Sequence, residues 1–380
     1  MKIKYASKIN SFIDSCEKNE YDYSLTKLAE VTPYARCFAV FLLHLIKSPR
    51  LSSDCEEFSQ RIHSDFLKFK SEAGFEIQSK PYRQLLAFSL SALALLPGSP
   101  VHLLHEHVIE QIQFCNSSSL IRLGCLAGQP GSGNQAMFIA IFLLHARDQL
   151  GMNTQPIIED WVSLHLSSMN KFGFWGPANW MTHLQFQNGY HQHEILDYLG
   201  VENPRQKVTM NAISYLADKR AQFAPYPGGG GCYDYDALFM LTPNGKVTDD
   251  HVRSLIKRLR DSLILQQNTD GGFCESRFVR PRSVPQILEF SEHVISSKLN
   301  FGVFYERLRQ AITLQRPKHN LIHTHWSVYS RGWGESDLWD TWFRMLTLAR
   351  IDVALNPQNF CCWGFINYPG IGYHPLFKES

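Results

Sequence analysis

The sequence predicts an all-α protein, a single domain in which helical hairpins gather into a ring. Three observations carry that reading. Apolar residues recur at spacings of three and four along much of the 380-residue chain. Strictly alternating runs that would mark half-buried strands are scarce. From residue 124 onward, a turn rich in glycine and aromatics is followed repeatedly by a helix that begins polar and continues apolar. No polar linker or low-complexity stretch divides the chain, so 1–120 reads as the amino-terminal helical part of the same domain. Residues 121–380 carry the repeats and the expected site.

In the first part, 23–47, 54–70, 81–96 and 101–114 have helical periodicity without residues that suggest chemistry. Pro81 suits the first position of its helix, and Pro97-Gly98 closes it. The repeated pattern then occupies 128–151, 172–200, 221–241 and 331–352, with LQQNTDGGFCES (265–276) ending a helix over 249–267. The copies stand about 40 to 60 residues apart, too far for a short solenoid repeat and suited to hairpins of one outer and one inner helix. An inner helix is apolar on every side, as AMFIAIFLL (136–144) is. Polar first turns would then meet at one mouth of the ring, where helix amino termini favour carboxylates. The residues expected there are Asn134, His191, His193, Glu194, Asp234, Asp236, Asp337 and Asp340.

Composition narrows the function classes. With 44% hydrophobic and 19% charged residues the chain is neither disordered nor fibrous. A balance of 37 basic against 35 acidic residues leaves no electrostatic footprint for nucleic acid. Nine cysteines, an odd number with Cys361 and Cys362 adjacent, do not make a disulfide framework. The first residues lack the apolar block of a signal peptide, and the apolar run 39–46 is far short of the roughly 20 residues that span a bilayer. A reducing, cytoplasmic location is expected, compatible with peripheral membrane contact; the oligomeric state is left open. Aromatics at 13% suit an aromatic-lined cavity for an apolar small molecule, or simply a large core.

LQQNTDGGFCES resembles the Q-x-x-D/N-G-G-F/W element of squalene–hopene cyclases and protein prenyltransferase β subunits. There the element staples successive helices of an α/α toroid. Upstream, AQFAPYPGGGGCYDYDALFML (221–241) is similar to the stretch that bears the cyclases' D-x-D-D motif, in the same order and at a comparable distance. INYPGIGYHPLF near the carboxy terminus loosely resembles the ending of triterpene cyclases. The resemblance implies an α/α toroid and an acid-initiated cyclase. Asp236 would be the proton donor and Asp234 its orienting partner. It also departs at the centre: Asp234-Tyr235-Asp236-Ala237 lacks the fourth acidic position. Trp175, Tyr190, Phe239, Trp333, Trp339 and Trp342 would face the substrate, the plainer reading of each being core packing.

Other constellations compete. His183, Gln187 and His191 form a polar stripe at spacings of four, and His191 shares a face with Glu194, as a solvated face or as a histidine tuned for proton transfer. Asp337 or Ser336 could be a helix N-cap, and Asp340 with Arg344 an ordinary i, i+4 pair. Gly131-Ser132-Gly133-Asn134-Gln135-Ala136 matches a G-x-G-x-x-G/A dinucleotide fingerprint only if 120–126 is a strand, and otherwise is a glycine-rich helix start that could present N–H groups to a phosphate. Gly228 to Gly231 beside the aspartates suggests a mobile lid, close approach to a ligand, or a surface loop. Arg277, Arg280 and Arg282 could hold an anion, and His319, His323 and His325 lie near Trp326. No cofactor is expected; zinc on Cys232, Asp234 and His191 or His193 is the alternative, without any C-x-x-C or H-E-x-x-H spacing.

The function expected is therefore a class II terpene cyclase-like enzyme acting on an isoprenoid or other apolar polyene. Asp236 and Asp234 lead, with His191, Glu194 and Asp337 as lesser catalytic candidates. The alternatives are a carbohydrate hydrolase or lyase using the same carboxylates, and a non-catalytic small-molecule-binding toroid.

Overall fold

A computed structural model describes residues 2–72, 76–247, 249–279, 283–314, 318–319, 330–332 and 334–378. In chain order its first helices are α1 (Lys2–Cys16), α2 (Pro33–Leu45), α3 (Arg50–Ser53), α4 (Cys55–Glu72) and α5 (Lys80–Ala94). Then come α6 (His105–Ile112), α7 (Ser117–Arg122), α8 (Ser132–Leu150), α9 (Gln155–Ser168), α10 (His183–Tyr198) and α11 (Gln206–Leu216). The last are α12 (Gly231–Leu241), α13 (Asp250–Ile264), α14 (Val284–Ile295), α15 (Phe301–Thr313) and α16 (Leu338–Leu355). Strands are confined, among the described residues, to two short antiparallel pairs.

Packing makes the toroid. α2, α5, α8, α10, α12 and α16 each pack on the next, and α16 closes the circle on α2. They run parallel: Gly133 meets Asn188, Gln187 meets Cys232, and Trp339 and Trp342 meet Tyr34 and Phe41 at matching depths. These inner helices are buried all round, as α8 is from Gln135 to Ala146 and α16 from Asp340 to Ala354. Outer helices bury one stripe only: α13 buries Val252, Leu255, Ile256, Leu259 and Leu263 against α16. α4, α6, α9 and α11 lie on the outside in the same way. Phe38, Phe41, Phe88 and Phe138 form a chain of edge-on ring contacts near the axis, with centroids 5.6 to 6.4 Å apart. The carboxy-terminal segment covers the far end, where Tyr368 hydrogen-bonds His145 (2.7 Å) and the Gly364 amide donates to Leu45 (3.0 Å).

The amino-terminal part is more than a helical preface, since α2 and α5 supply two walls of the ring. Helix α2 starts at Pro33 behind the N-cap Thr32, ten residues later than the periodicity of 23–47 predicts, because 17–23 form a small β-hairpin. Residues 117–122 are helical, so the strand that a dinucleotide fold needs before Gly131 does not exist.

Hairpins are joined by one recurring turn. Asn170, Asp218 and Asn268 each donate an amide hydrogen bond to the carbonyl four residues on and accept one from the residue three on. That third residue is left-handed in each copy: Gly173 (φ +84°), Ala221 (φ +62°) and Gly271 (φ +94°). A buried aromatic follows, Trp175, Phe223 or Phe273. The third copy is the QQNTDGGF element, and it does staple: Ser336 donates to Asp270, and the Asp337 amide donates to Phe273 at the start of α16.

The run Gly228–Gly231 is buried, which makes it neither a surface loop nor a lid. It wraps the Arg344 guanidinium, whose Nη2 donates to the carbonyls of Gly228 (3.2 Å) and Glu275 (2.9 Å). Gly229 sits at φ +103°, and a Cβ there would come within 2.4 Å of both Arg344 and Gln222. We expect Gly229→Ala to lower unfolding free energy by about 2 kcal/mol or more, and Gly334→Ala, with open space around it, by under about 0.5 kcal/mol. Denaturant titration of the two variants checks this.

Candidate active site at the mouth of the ring

The amino-terminal ends of the inner helices define a polar mouth. Lys80 of α5, Asn134 of α8, Gln187 of α10, Cys232 of α12 and Trp339 of α16 are all half-buried there. Asn134 Nδ2 donates to His191 Nε2 (2.9 Å), and Gln187 Nε2 approaches Cys232 Sγ (3.6 Å). Lys80 lies near Gly131, and its charge reaches both His191 and Cys232. Trp339 stacks on Tyr34 (5.7 Å) and touches Phe38 and Phe343.

Asp236 stands one helical turn below Cys232, fully buried, and neither carboxyl oxygen has a hydrogen-bond partner among the described residues. Burial drives its pKa well above the ordinary carboxylate range, and the nearby Glu194 and Asp234 push the same way. Glu194 is equally buried, near the Tyr190 hydroxyl and the Gly372 amide, and burial raises it to about 8. Burial thus disfavours ionisation of both Asp236 and Glu194, and the Glu194 charge adds to the cost at Asp236. This is the site's unusual chemistry, since a buried carboxyl is normally paired or hydrogen-bonded.

Asp234 is not a free partner of Asp236. Its carboxylate pairs with Arg344, both side chains wholly buried, and accepts from the Phe223 amide (2.9 Å) and Gln222 Nε2 (3.2 Å). It acts on Asp236 only through its charge. The helical geometry explains the split, because residues two apart point to opposite sides. The same ion pair takes Asp234 away from any zinc site with Cys232. Among the described residues no three His, Cys, Asp or Glu side chains converge as metal ligands.

The other expected residues sort by contact. Asp337 is the N-cap of α16, accepting from the Asp340 amide (2.8 Å), and so has a structural task. His191 is held neutral by burial, its pKa lowered to about 3 with Lys80 contributing; it serves Asn134 rather than a carboxylate. The His183–Gln187–His191 stripe faces protein, not solvent, with His183 Nδ1 on the Phe223 carbonyl (3.1 Å). His193 points outward to the Gly173 carbonyl (2.7 Å). Trp175 belongs to the layer between ring and shell, its indole donating to His165 (2.8 Å) beside the His193 ring. Phe239 lies under Arg350 (4.3 Å), and Trp342 is buried between Phe41 and Gly372, so both are packing rings. Tyr190 stacks edge-on with Tyr235 and Phe239 next to Glu194. Arg277 ties down its own turn through Asn268, and Trp333, Arg280, Arg282, His323, His325 and Trp326 lie outside the described residues.

Tyr34, Phe38, Lys80 and Gln84, which donates to the Tyr34 hydroxyl (2.9 Å), escaped the sequence reading. Their signal was the apolar-all-round character of 35–45 and 85–94, the same mark that identified 136–144 as inner. Open clefts of about 520 and 630 Å³ lie, one by Asp197 and Met240 at the far ends of α10 and α12, one by Leu96 and Trp363. The first is lined by His193 and Phe239, beside Glu194 and one helical turn beyond Asp236, and the second lies elsewhere.

No family model and no curated protein matches the chain. Among solved structures, the type II terpene cyclase MstE from Scytonema, in its apo form, aligns over 72% of this chain and 82% of its own, at 13% identity and a TM-score of 0.46. A protein from Actinoplanes aligns over 93% of this chain and 100% of its own, at 11% identity and a TM-score of 0.49. Identities this low do not bear on activity.

Raised carboxyl pKa values have a definite consequence for stability. A carboxyl that stays protonated in the fold contributes fully below its unfolded pKa, and that contribution is lost as pH rises towards the folded value. For Glu194 the window runs from its ordinary 4.5 to about 8. Thermal melts across that range should show wild type losing stability with rising pH and Glu194→Gln losing less. Asp236→Asn should likewise be at least as stable as wild type at neutral pH, with the difference closing in acid.

Proposed function

We propose that the chain is a type II cyclase-like enzyme in which Asp236 starts the reaction by protonating an apolar polyene. The observation that carries this reading is the Asp236 carboxyl itself: buried, biased towards its protonated form and without a hydrogen-bond partner among the described residues, next to a second buried acid. A structural aspartate at such a site would be paired, as Asp234 is two residues earlier. A proton donor needs the opposite, a carboxyl kept protonated in a water-poor pocket and ready to hand over its proton.

In the proposed reaction the Asp236 proton adds to one carbon of an alkene, leaving a carbocation that neighbouring double bonds attack in turn. Loss of a proton at the end gives a product isomeric with the substrate. Trp339, half-buried at the mouth and backed by Tyr34 and Phe343, offers a ring worth roughly 0.5–2 kcal/mol to a cation held against it. Glu194, reaching in from α10, supplies the acidic neighbour that Ala237 does not. Burial is what chiefly keeps Asp236 protonated, and any ionisation of Glu194 would add to the cost of a charge there.

The carbohydrate alternative requires an ionised carboxylate beside an acid in an open groove. Burial disfavours the ionised form of both Asp236 and Glu194, which weighs against it.

The test is to incubate wild type, Asp236→Asn and Glu194→Gln with cell extract and with a panel of linear isoprenoids and oligosaccharides, following masses. Conversion of an isoprenoid to a species of equal mass is expected for wild type, falling by roughly a hundredfold or more in Asp236→Asn. Equal conversion by wild type and Asp236→Asn would sink the assignment, conversion of an oligosaccharide would install the alternative, and binding without conversion would make the ring a receptor.

A further inference from the structure

We propose that the outward face of the α14–α15 hairpin docks on a lipid surface bearing anionic headgroups, beside the mouth of the ring. The hairpin is two-faced. Its inner side, with Phe290, Val294 and Leu314, packs on Ala224, Tyr226 and Val279 near the glycine loop. Its outer side is apolar at helical spacing. On α14, Val284, Ile287, Leu288 and Ile295 are 52–69% exposed. On α15, Phe301, Tyr305, Leu308 and Ile312 are 41–71% exposed, and Leu299 at the tip between the helices is 90% exposed. Two adjacent stripes of this kind exceed the scattered apolar exposure of an ordinary surface.

Charge and aromatic placement favour a membrane as the occupant. The acidic groups of the hairpin are directed inward or sideways: Glu289 pairs with Arg220, Glu306 accepts from the His183 and Leu184 amides, and Glu292 lies by Lys219. The exposed cations Lys298 and Arg309 instead adjoin Leu299 and Leu308 on the apolar margin. Trp180 packs edge-on against Phe301 (5.6 Å), and Tyr305 stacks parallel to it. An apolar stripe, a basic margin and amphipathic rings are what an interfacial helix uses to sit at the headgroup boundary. Among the described residues no helix is long and apolar enough to cross a membrane, so the contact would be one-sided.

Position gives the surface a purpose. Glu306 caps the amino terminus of α10, at the mouth end of the ring, and Gly302 lets α15 close on Trp180 and Met181 just before that helix. A hairpin seated in lipid would bring the mouth to the phase in which an apolar molecule is dissolved. The surface is argued from the hairpin alone and does not depend on Asp236.

Sedimentation with vesicles tests it, using phosphatidylcholine alone and phosphatidylcholine containing phosphatidylglycerol. Wild type should pellet with the anionic vesicles, less so at high salt. The double variant Leu288→Glu, Tyr305→Glu should lose at least tenfold in partitioning, while Leu28→Glu, an exposed apolar residue elsewhere, behaves as wild type. Light scattering runs alongside. Wild type remaining in the supernatant with every vesicle, or the double variant pelleting equally, overturns the proposal. So does a wild-type dimer that the double variant dissociates, which would make the face a protein interface.

Discussion

The buried ion pair between Asp234 and Arg344 is the constraint on which the mouth of the ring depends. Two charges wholly out of water are tolerable only if each is further satisfied. Here the remaining valences tie together the turn at Asp218–Phe223, the glycine loop, the turn after α13 and the inner helices α12 and α16. Gln222 is the hinge of this network, donating to Asp234 and Gly228 and accepting from Gln266 (2.9 Å). Gly229 follows from it, because a Cβ there would meet Arg344 and Gln222, while Gly228, Gly230 and Gly231 are closed in by Ser276 and Phe278, by Tyr226, and by Asp340. What reads in the sequence as flexibility is, in the fold, close packing.

The neighbouring carboxyl has the opposite character. Asp234 and Asp236 share a helix and complete burial, yet one receives an arginine and two donors while the other receives none. Burial above all, with Glu194 and then the Asp234 charge adding to it, makes ionisation of Asp236 unfavourable.

The sequence disclosed the helices and their inner or outer role wherever a polar first turn or a glycine-aromatic turn marked them. It placed the carboxy-terminal ends of α8, α10, α12 and α16 within three residues, but not their starts. It passed over α2 and α5 as inner walls because nothing polar drew attention to Tyr34 or Lys80. It could not divide the aromatics: Trp175 and Trp339 both follow glycine-rich turns, but one faces the shell and the other the mouth, a difference set by helix rotation rather than composition. Nor could it separate two aspartates in a D-x-D, since the arginine that claims one is 110 residues away. The recurring turn was legible in its third copy only; Ala221 disguises the second by standing where the others have glycine.

Closure of the ring joins the first inner helix in the sequence to the last, since α2 packs against α16. Contacts this distant along the chain form late and slowly, because the loop entropy between them must be met before they reward it. During synthesis the apolar flank of α2 has no partner until α16 has been made. The nascent chain therefore carries an open seam lined with phenylalanine for most of its translation, and yield in a cell rests on keeping that seam from meeting another chain's.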